Sequence, residues 1–387
     1  MKISMFGTLP PLKGNAYYCW NLVKNLSQKI DVEFFTFKSL YPEFLYPGGT
    51  KDSDDSFIAV ENDNLKIYRS ISIYNPYTWI KAAFKVSGDL VHMQLWSLPV
   101  TPVWIIILSI LKMRKKKVVL TVHNLVQHES SFYEAMLMSA VINRCDRYIV
   151  HVEKSIQQMH DLYGIPEYKT CQIDMGAHSV VGENHKNGYS MESAKKEIGI
   201  DVNTKVLLFF GNIRDYKGVD DFIKSVAHLK KTYSGDVVGL IAGQPWGKPD
   251  KYWKMIKESG VENNIVAHFK YIPDKDVSKY FAATDVVLLP YKGMAAQSGV
   301  GFVALDYYKP LVVTNLGGLS DLVLDKRFAV EPAQPDKMAE KVLMILQDDQ
   351  LAKKLSEDSK TLLKKFSWGP ICDKTINIYK EMLSGTK

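Results

Sequence analysis

Arg214 and Lys217 stand three positions apart in Phe209-Phe-Gly-Asn-Ile-Arg-Asp-Tyr-Lys-Gly218. Before them runs Lys205-Val-Leu-Leu-Phe-Phe210, a continuous apolar segment of the kind found in buried parallel strands. After them Val219, Phe222, Ile223, Val226 and Leu229 recur with the spacing of one helix face. The two cations therefore occupy a turn between the carboxyl end of a strand and the amino end of a helix. Backbone N–H groups and the helix dipole favour an anion at such a place. A guanidinium fork and an ammonium add charge-assisted donors suited to phosphate. The ligand this implies is the diphosphate of a nucleotide. A plain turn carrying two surface cations is the simpler alternative, and a second constellation weighs against it.

That constellation is Asp285-Val-Val-Leu-Leu-Pro-Tyr-Lys-Gly-Met-Ala-Ala-Gln-Ser-Gly-Val-Gly301. A strand ends at Pro290, and a helix is expected to start near Gln297 or Ser298. The Gln297-Ser298-Gly299 turn exposes N–H groups at that helix's amino end, a second seat for an anion. Lys309-Pro-Leu-Val-Val-Thr-Asn-Leu-Gly-Gly318 supplies another strand and glycine turn.

The amino-terminal half offers weaker signals. Gly7-Thr-Leu-Pro-Pro-Leu-Lys-Gly-Asn15 joins a strand to a helix, with Gly14 able to approach a ligand closely. It lacks the GxGxxG dinucleotide fingerprint, which argues against a dehydrogenase. His92 and His123 are expected at strand ends, facing a cleft rather than the core, with His128 and Glu129 following on the second loop. His123 would orient or polarise a sugar hydroxyl or phosphate; a hydrogen-bonded structural histidine is the alternative for both.

Composition sets the frame for these motifs. With 387 residues, 46% hydrophobic and 24% charged, the chain is globular and long enough for two domains. A formal charge of +7 suits anionic ligands or an anionic membrane surface and is too scattered to argue for nucleic acid. Cys19, Cys145, Cys171 and Cys372 form no CxxC pair, which points away from zinc and disulfides and toward a reducing cytoplasm. The amino terminus reads as a strand, without the apolar stretch of a signal peptide. Asp52 and Asp54 form an Asp-x-Asp in a polar loop, read as a solvated turn, so no metal is expected. The run Leu98–Leu111 followed by Lys112-Met-Arg-Lys-Lys-Lys117 is too short for the roughly 20 residues of a spanning helix. It reads as a core helix with a cationic end, or as a segment resting on acidic headgroups.

Strand-like runs alternate with helical patterns throughout, implying α/β architecture: two doubly wound, Rossmann-like domains facing across a cleft. The expected boundaries are 1–180 for the first domain, 181–202 for a polar linker, 203–365 for the second domain, and 366–387 for a last helix. Expected strands lie near Lys2–Phe6, Val32–Phe37, Leu90–Met93, Val118–Val122, Tyr148–Val152 and Cys171–Ile173 in the first half. In the second they are Val206–Phe210, Val237–Ala242, Ile265–Phe269, Val286–Leu289 and Leu311–Thr314.

Taken together, Gly211…Arg214…Lys217-Gly218, Ala283-Thr-Asp-Val-Val-Leu-Leu-Pro-Tyr291, Gln297-Ser-Gly-Val300, Lys309-Pro310 and Gly317-Gly318 resemble the family 4 retaining glycosyltransferases of GT-B fold. Thr121-Val-His123 and the closing Phe366-Ser-Trp368 fit the same pattern. The resemblance implies an NDP-sugar donor held mainly by the second domain and a last helix crossing back to the first. Arg214 and Lys217 would take the diphosphate, helped by the N–H groups of Ser298, Gly299 and Val300, with Gly211, Asn212, Gln297 and Asp306 also at the donor. Base and ribose would lie near Gly243, Tyr271 and Ile272; Gly14 and His123 would complete the site where the acceptor binds. Catalysis would need no metal, and the acceptor would be a glycan or a lipid-linked molecule at the cytoplasmic face of a membrane.

One departure stands out. The family usually carries two glutamates eight positions apart around the helix after Gln297. Counted back from Lys309-Pro310, the second falls on Val303 and the first on Ala295 or Ala296. Asp306, one turn beyond Val303, is the nearest replacement. An inverting transferase using His123 or a nearby carboxylate as base, and a non-catalytic relative that binds a nucleotide sugar or a partner transferase, both stay open on this ground.

Overall fold

Parallel strands buried on both faces must be covered by helices on both sides, and both halves of this chain meet that demand. The computed structural model describes residues 1–10, 12, 15–40, 61–123, 125, 132–177, 188–293 and 297–385. The chain divides into two compact units, 1–176 with 366–387, and 177–365. Gly14, Asp52, Asp54, His128, Glu129, Ala295 and Ala296 lie outside the described residues.

The first unit runs β1 (Lys2–Gly7), α1 (Ala16–Leu26), β2 (Asp31–Ser39), β3 (Leu65–Ser72), α2 (Pro76–Lys85), β4 (Leu90–Leu95) and α3 (Thr101–Met113). It continues with β5 (Lys117–Val122), α4 (Phe132–Ile142), β6 (Arg147–Val150), α5 (Lys154–Tyr163) and β7 (Thr170–Gln172). The second comprises α6 (Met191–Ile198), β8 (Lys205–Phe210), α7 (Val219–Thr232), β9 (Val237–Ala242), α8 (Asp250–Glu258), β10 (Ile265–His268) and α9 (Asp274–Ala282). Then come β11 (Val286–Leu289), α10 (Gly299–Asp306), β12 (Leu311–Thr314), β13 (Ala329–Val330), α11 (Pro335–Gln347) and α12 (Asp349–Lys365). A final helix, α13 (Trp368–Ser384), belongs to the first unit.

The first sheet has the order β3-β2-β1-β4-β5-β6-β7 and the second β10-β9-β8-β11-β12-β13, parallel throughout. Each reverses direction once, between β1 and β4 and between β8 and β11. Right-handed crossovers then send helices to opposite faces on either side of the reversal. In the first unit α2, α3, α4 and α5 cover one face, while α1 and α13 cover the other.

α13 is fastened to its unit at both ends. Gly176 has no room for a side chain, since a Cβ there would fall 2.4 Å from the Trp368 ring. Lys29 pairs with Asp373, Arg147 with Glu381, and Lys117 Nζ donates to the Met382 carbonyl. The Tyr379 hydroxyl meets His92 Nδ1 at 2.6 Å.

One expectation changes here, and for one segment the structure selects between two readings. His92 does not end a strand: it sits inside β4, fully buried, with Nε2 2.7 Å from Thr121 Oγ1. It is a core histidine holding β4 to β5 and α13. The apolar run at Leu98–Leu111 is a core helix, α3, with Val103, Trp104, Ile107, Leu108 and Leu111 buried. Each such burial contributes about 1.5–3 kcal/mol, and Trp104 Nε1 donates to the Gln94 carbonyl at 3.0 Å. The lysines after it are only partly available, because Lys116 Nζ donates to the Gly88 carbonyl and Lys117 is tied as above. Within the span expected as linker, residues 191–198 form α6, capped by Ser190 and ended by Gly199 at φ +82°.

Burial holds His92 neutral, with its pKa pushed down to about 3, and does the same to His151, down to about 4. Unfolded, both would take a proton near pH 6.5. The unfolded chain therefore binds more protons below that pH. The contribution is full above pH 6.5 and shrinks as pH falls toward 4. We expect first-unit stability to drop by up to about 1.4 kcal/mol per pH unit for each histidine over that window. Denaturant unfolding at a series of pH values checks this; stability unchanged between neutral pH and pH 4.5 would contradict it.

Candidate nucleotide-sugar site

The carboxyl ends of β8, β9 and β11 bring the cationic turn and the second glycine loop together. Beyond the strands, Gly211 N–H donates to the Ala242 carbonyl, Ile213 N–H to that of Gln244, and Trp246 N–H to that of Ile213. The loops after β8 and β9 thus continue to pair, with a bridge between Ile213 and Pro245. The approach is tight: a Cβ on Gly243 would lie 1.9 Å from the Gly211 carbonyl oxygen. Gly211 itself has φ +96°, where glycine is favoured. At the other end of the turn, Gly218 has φ +70° and a Cβ there would lie 1.9 Å from the Pro290 carbonyl oxygen. The turn Asp215–Lys217 is thereby pinned over the end of β11.

This placement delivers Lys217. Its Nζ lies 5.6 Å from the centre of the Tyr291 ring. A Cβ built on Gly211 would sit 3.5 Å from that Nζ and 3.0 Å from Val300 Cγ2. The ammonium and the first turn of α10 therefore meet over Gly211, where β8 and β11 diverge. α10 is capped by Ser298, whose Oγ accepts from Gly301 N–H and contacts the Tyr291 hydroxyl at 3.2 Å. Gln297 and Ser298 are buried, while Gly299 and Val300 are half-buried. The opening N–H groups of a helix have no intrahelical partner, so this end offers donors and a positive dipole to an anion. Desolvation, aided by the Arg214 guanidinium, draws the Lys217 pKa down to about 8. Arg214 is exposed and stacks on Trp246, with its Cζ 3.4 Å from the ring centre.

The other expected donor residues spread around this point. Asn212 is exposed in the same loop. Gly243 N–H donates to the His268 carbonyl at the end of β10; Tyr271, half-buried, and Ile272, buried, lie in the loop that follows. Asp306 is buried at the carboxyl end of α10. Seven residues at 1.5 Å each separate it from Gly299, about 10 Å. That puts it out of reach of an anion seated at the helix's amino end. Val303, on the middle turn, is buried and apolar.

His123 follows β5 in the first unit and is buried, 7% exposed. Its Nε2 lies 3.0 Å from Asn15 Nδ2 and 2.9 Å from Gln94 Oε1; its Nδ1 lies 3.1 Å from His151 Nε2. His151 Nδ1 donates to the Ile173 carbonyl, so its Nε2 accepts from His123 Nδ1–H. Both ring nitrogens of His123 are engaged within the unit. The ring steadies Asn15, which also accepts from Thr8 Oγ1 at the end of the Gly7 loop. Through Asn15, His123 is thus linked to Thr8.

Trp246, Tyr291, Asn15, Gln94 and His151 belong to these clusters, and sequence reasoning misses them as site residues. His151 carries the same signal as His123, a histidine immediately after a strand. Gln94 lies two residues from His92, on the same face of β4. Trp246 has no motif of its own. Among the described residues no group of three or more His, Cys, Asp or Glu is arranged to hold a metal.

Residues 13–177 match the family model described as Glycosyltransferase Family 4, and residues 190–362 match that of Glycosyl transferases group 1. The D-inositol 3-phosphate glycosyltransferase of Corynebacterium glutamicum is 26% identical over 253 residues, 63% of this chain and 59% of that protein. An uncharacterized glycosyltransferase of Methanocaldococcus jannaschii is 24% identical over 260 residues, 65% of this chain and 64% of that protein. The chain thus spans about three-fifths of the length of these curated relatives. Sucrose-phosphate synthase from Thermosynechococcus elongatus superposes with a TM-score of 0.72 at 16% identity, covering 100% of both chains. Anabaena HepE, solved in complex with UDP, gives 0.75 at 15% identity, covering 98% of this chain and 100% of that one. These structural likenesses establish the fold: two parallel-sheet α/β domains of the GT-B type.

Two outcomes follow from the geometry. A phosphate beside Lys217 would restore its charge, so affinity for a nucleoside diphosphate should hold below pH 8 and fall above it, approaching tenfold per pH unit. Lys217→Arg should flatten that profile, because a guanidinium stays charged. Calorimetric titration from pH 7 to 9.5 decides, and a flat wild-type profile would contradict the placement. Separately, Trp246→Ala should weaken nucleoside-diphosphate binding by about 2–5-fold, the worth of one exposed cation–π contact, and Trp246→Phe should recover most of it. Equal affinity in all three proteins would show that the stack does not matter.

Proposed function

Since the chain belongs to the glycosyl transferases group 1 family with GT-B fold, we propose that it moves a sugar from a nucleotide diphosphate donor to an acceptor hydroxyl. The observation that carries this reading is the meeting of Lys217, Gly211 and the amino end of α10 at the point where the second sheet reverses. Negative charge grows on the leaving diphosphate as the glycosidic bond to the donor breaks. Fixed cations and N–H groups at that seat would stabilise it electrostatically, without a metal. Arg214 would clamp the outer phosphate oxygens, with Gln297, Ser298, Gly299 and Val300 lining the inner side. Gly243, Tyr271 and Ile272 mark the base and ribose. His123 would act through Asn15 rather than by touching the donor.

The acceptor that fits a basic first unit is a glycan or a lipid-linked molecule, in polysaccharide or glycolipid synthesis at the cytoplasmic face of a membrane. No helix among the described residues is long and apolar enough to cross a membrane. Neighbours of this fold solved with UDP and with UDP-glucose make uridine donors the first to try. A second reading has one observation in its favour. Val303 and Ala295 or Ala296 stand where the family usually has carboxylates, and Asp306, the nearest replacement, lies at the carboxyl end of α10. A binding protein without turnover would keep the phosphate seat and lose the sugar contacts.

The experiment is a donor screen by thermal shift, followed by turnover assays with and without a chelator. Native-state ligand raises the melting point by mass action. We expect a UDP or GDP sugar to do so, turnover to survive chelation, and Arg214→Ala or Lys217→Ala to lower turnover at least tenfold. That corresponds to losing a charge-assisted phosphate contact worth about 1.5–3 kcal/mol. Donor binding without any release of nucleotide would favour the second reading; loss on chelation restored by Mn²⁺ or Mg²⁺ would overturn metal-free catalysis.

A further inference from the structure

Three neighbouring helices of the first unit turn an unusual side outward. α2 packs beside α3, and α3 beside α4. Their inner sides fill the core with Trp79, Trp104, Ile107 and Val141. The outer side of α2 presents Tyr77, Ile80 and Phe84 at helical spacing, 69%, 40% and 60% exposed. α3 adds Ile105, Ile106 and Ile110, all half-buried, and ends in Met113 at 80% exposure. α4 is apolar on nearly every side, with Tyr133 and Met136 exposed. Glu134 is the one acidic residue on the three helices. The outer helices of the second unit differ: α7 carries Asp220, Asp221, Lys224, Lys230 and Lys231, and α8 carries Asp250, Lys251, Lys254, Lys257 and Glu258.

Apart from Glu134, the charges along this face share one sign. Lys81 follows the α2 ridge, and Lys112 and Lys115 are exposed at the end of α3. Arg114 binds the end of α3 to that of α2, its guanidinium donating to the carbonyls of Ala83 and Val86. The basic cluster is therefore continuous with the foot of the aromatic ridge. A second copy of this chain, packed by a two-fold axis, would set these cations against themselves. An interface of aromatic side chains, aliphatic side chains and lysines matches the boundary between anionic headgroups and acyl chains.

We propose that the outer side of α2, α3 and α4 docks on an anionic bilayer, with Tyr77, Ile80 and Phe84 entering the boundary and Lys81, Lys112 and Lys115 meeting the headgroups. The proposal deepens the reading of a membrane-facing transferase by naming the surface, and its test needs neither donor nor turnover. The ridge takes over the role that the sequence assigns to the segment around α3, whose apolar residues are largely spent on the core.

Flotation of the full chain with phosphatidylcholine vesicles, with and without phosphatidylglycerol, tests it. Wild type is expected to float with the anionic vesicles at low salt, and neither with neutral vesicles nor at high salt. Tyr77→Ser, Ile80→Ser and Phe84→Ser combined should lower partitioning roughly tenfold or more while melting temperature and UDP affinity stay at wild-type values. Should that variant misfold, Lys81→Glu, Lys112→Glu and Lys115→Glu combined, all at exposed positions, must abolish flotation instead. Wild-type protein that stays with the soluble fraction, or folded variants that float as well as wild type, would overturn the proposal. A wild-type dimer by light scattering that the serine variant dissolves, with vesicle binding unchanged, would overturn it too and assign the face to self-association. UDP affinity measured on the same samples distinguishes a failure of bilayer docking from a failure of the donor site.

Discussion

Contact between backbones, with no side chain between them, is what the phosphate seat depends on. Gly243 lies against the carbonyl of Gly211, and Gly218 against that of Pro290, each too close to admit a Cβ. These two approaches lock the ends of β8, β9 and β11 into one surface. Lys217 reaches Gly211 and the first turn of α10 because the turn before it is held from both sides. A methyl group at Gly218 or Gly243 would have to move backbone, which is stiff, rather than a side-chain end, which is not. The cations are thus consequences of the glycines: chemistry at this site is set by where the main chain can pass.

Much of this is legible in the amino-acid sequence. Parallel strands buried on both faces are nearly continuous apolar runs, and Val206–Phe210, Val237–Ala242 and Val286–Leu289 are recognisable for that reason. β3 is not. Leu-Lys-Ile-Tyr-Arg-Ser-Ile-Ser is no continuous apolar run, and on this edge strand only Leu65 and Ile71 are buried. β13 has two residues, too few for any period to show. Gly211, Arg214 and Lys217 are readable from their position between strand and helix. Trp246 is not, since its stacking on Arg214 depends on the bridge between Ile213 and Pro245, a tertiary pairing. His92 misleads because β4 runs on to Leu95, two residues past the strand end that the apolar pattern suggests. A shift of that size moves a residue from the rim into the core.

The two sheets repeat one device with different content. Each gathers its polar residues where its strand order reverses, as open α/β sheets do with ligands. In the second unit that point carries positive charge: a lysine held partly desolvated and a helix amino end. In the first it carries polar side chains, Asn15, Gln94, His123 and His151, each within hydrogen-bonding distance of another. A desolvated cation is costly until an anion arrives. The second unit is accordingly the one poised to gain from a phosphate. The amino end of α10 lies beside that lysine, and its carboxyl end, with Asp306, lies about 10 Å further on. The proposed donor site would therefore have to hold a sugar without the carboxylate pair usual in the family that the sequence resembles.

A crystal structure with UDP bound tests the phosphate seat most directly. A phosphate oxygen is expected at hydrogen-bonding distance, about 3 Å, from Lys217 Nζ and from a backbone N–H at the amino end of α10, with Arg214 on the outer oxygens. A nucleotide seated elsewhere, or phosphates that leave Lys217 and α10 untouched, would contradict that placement.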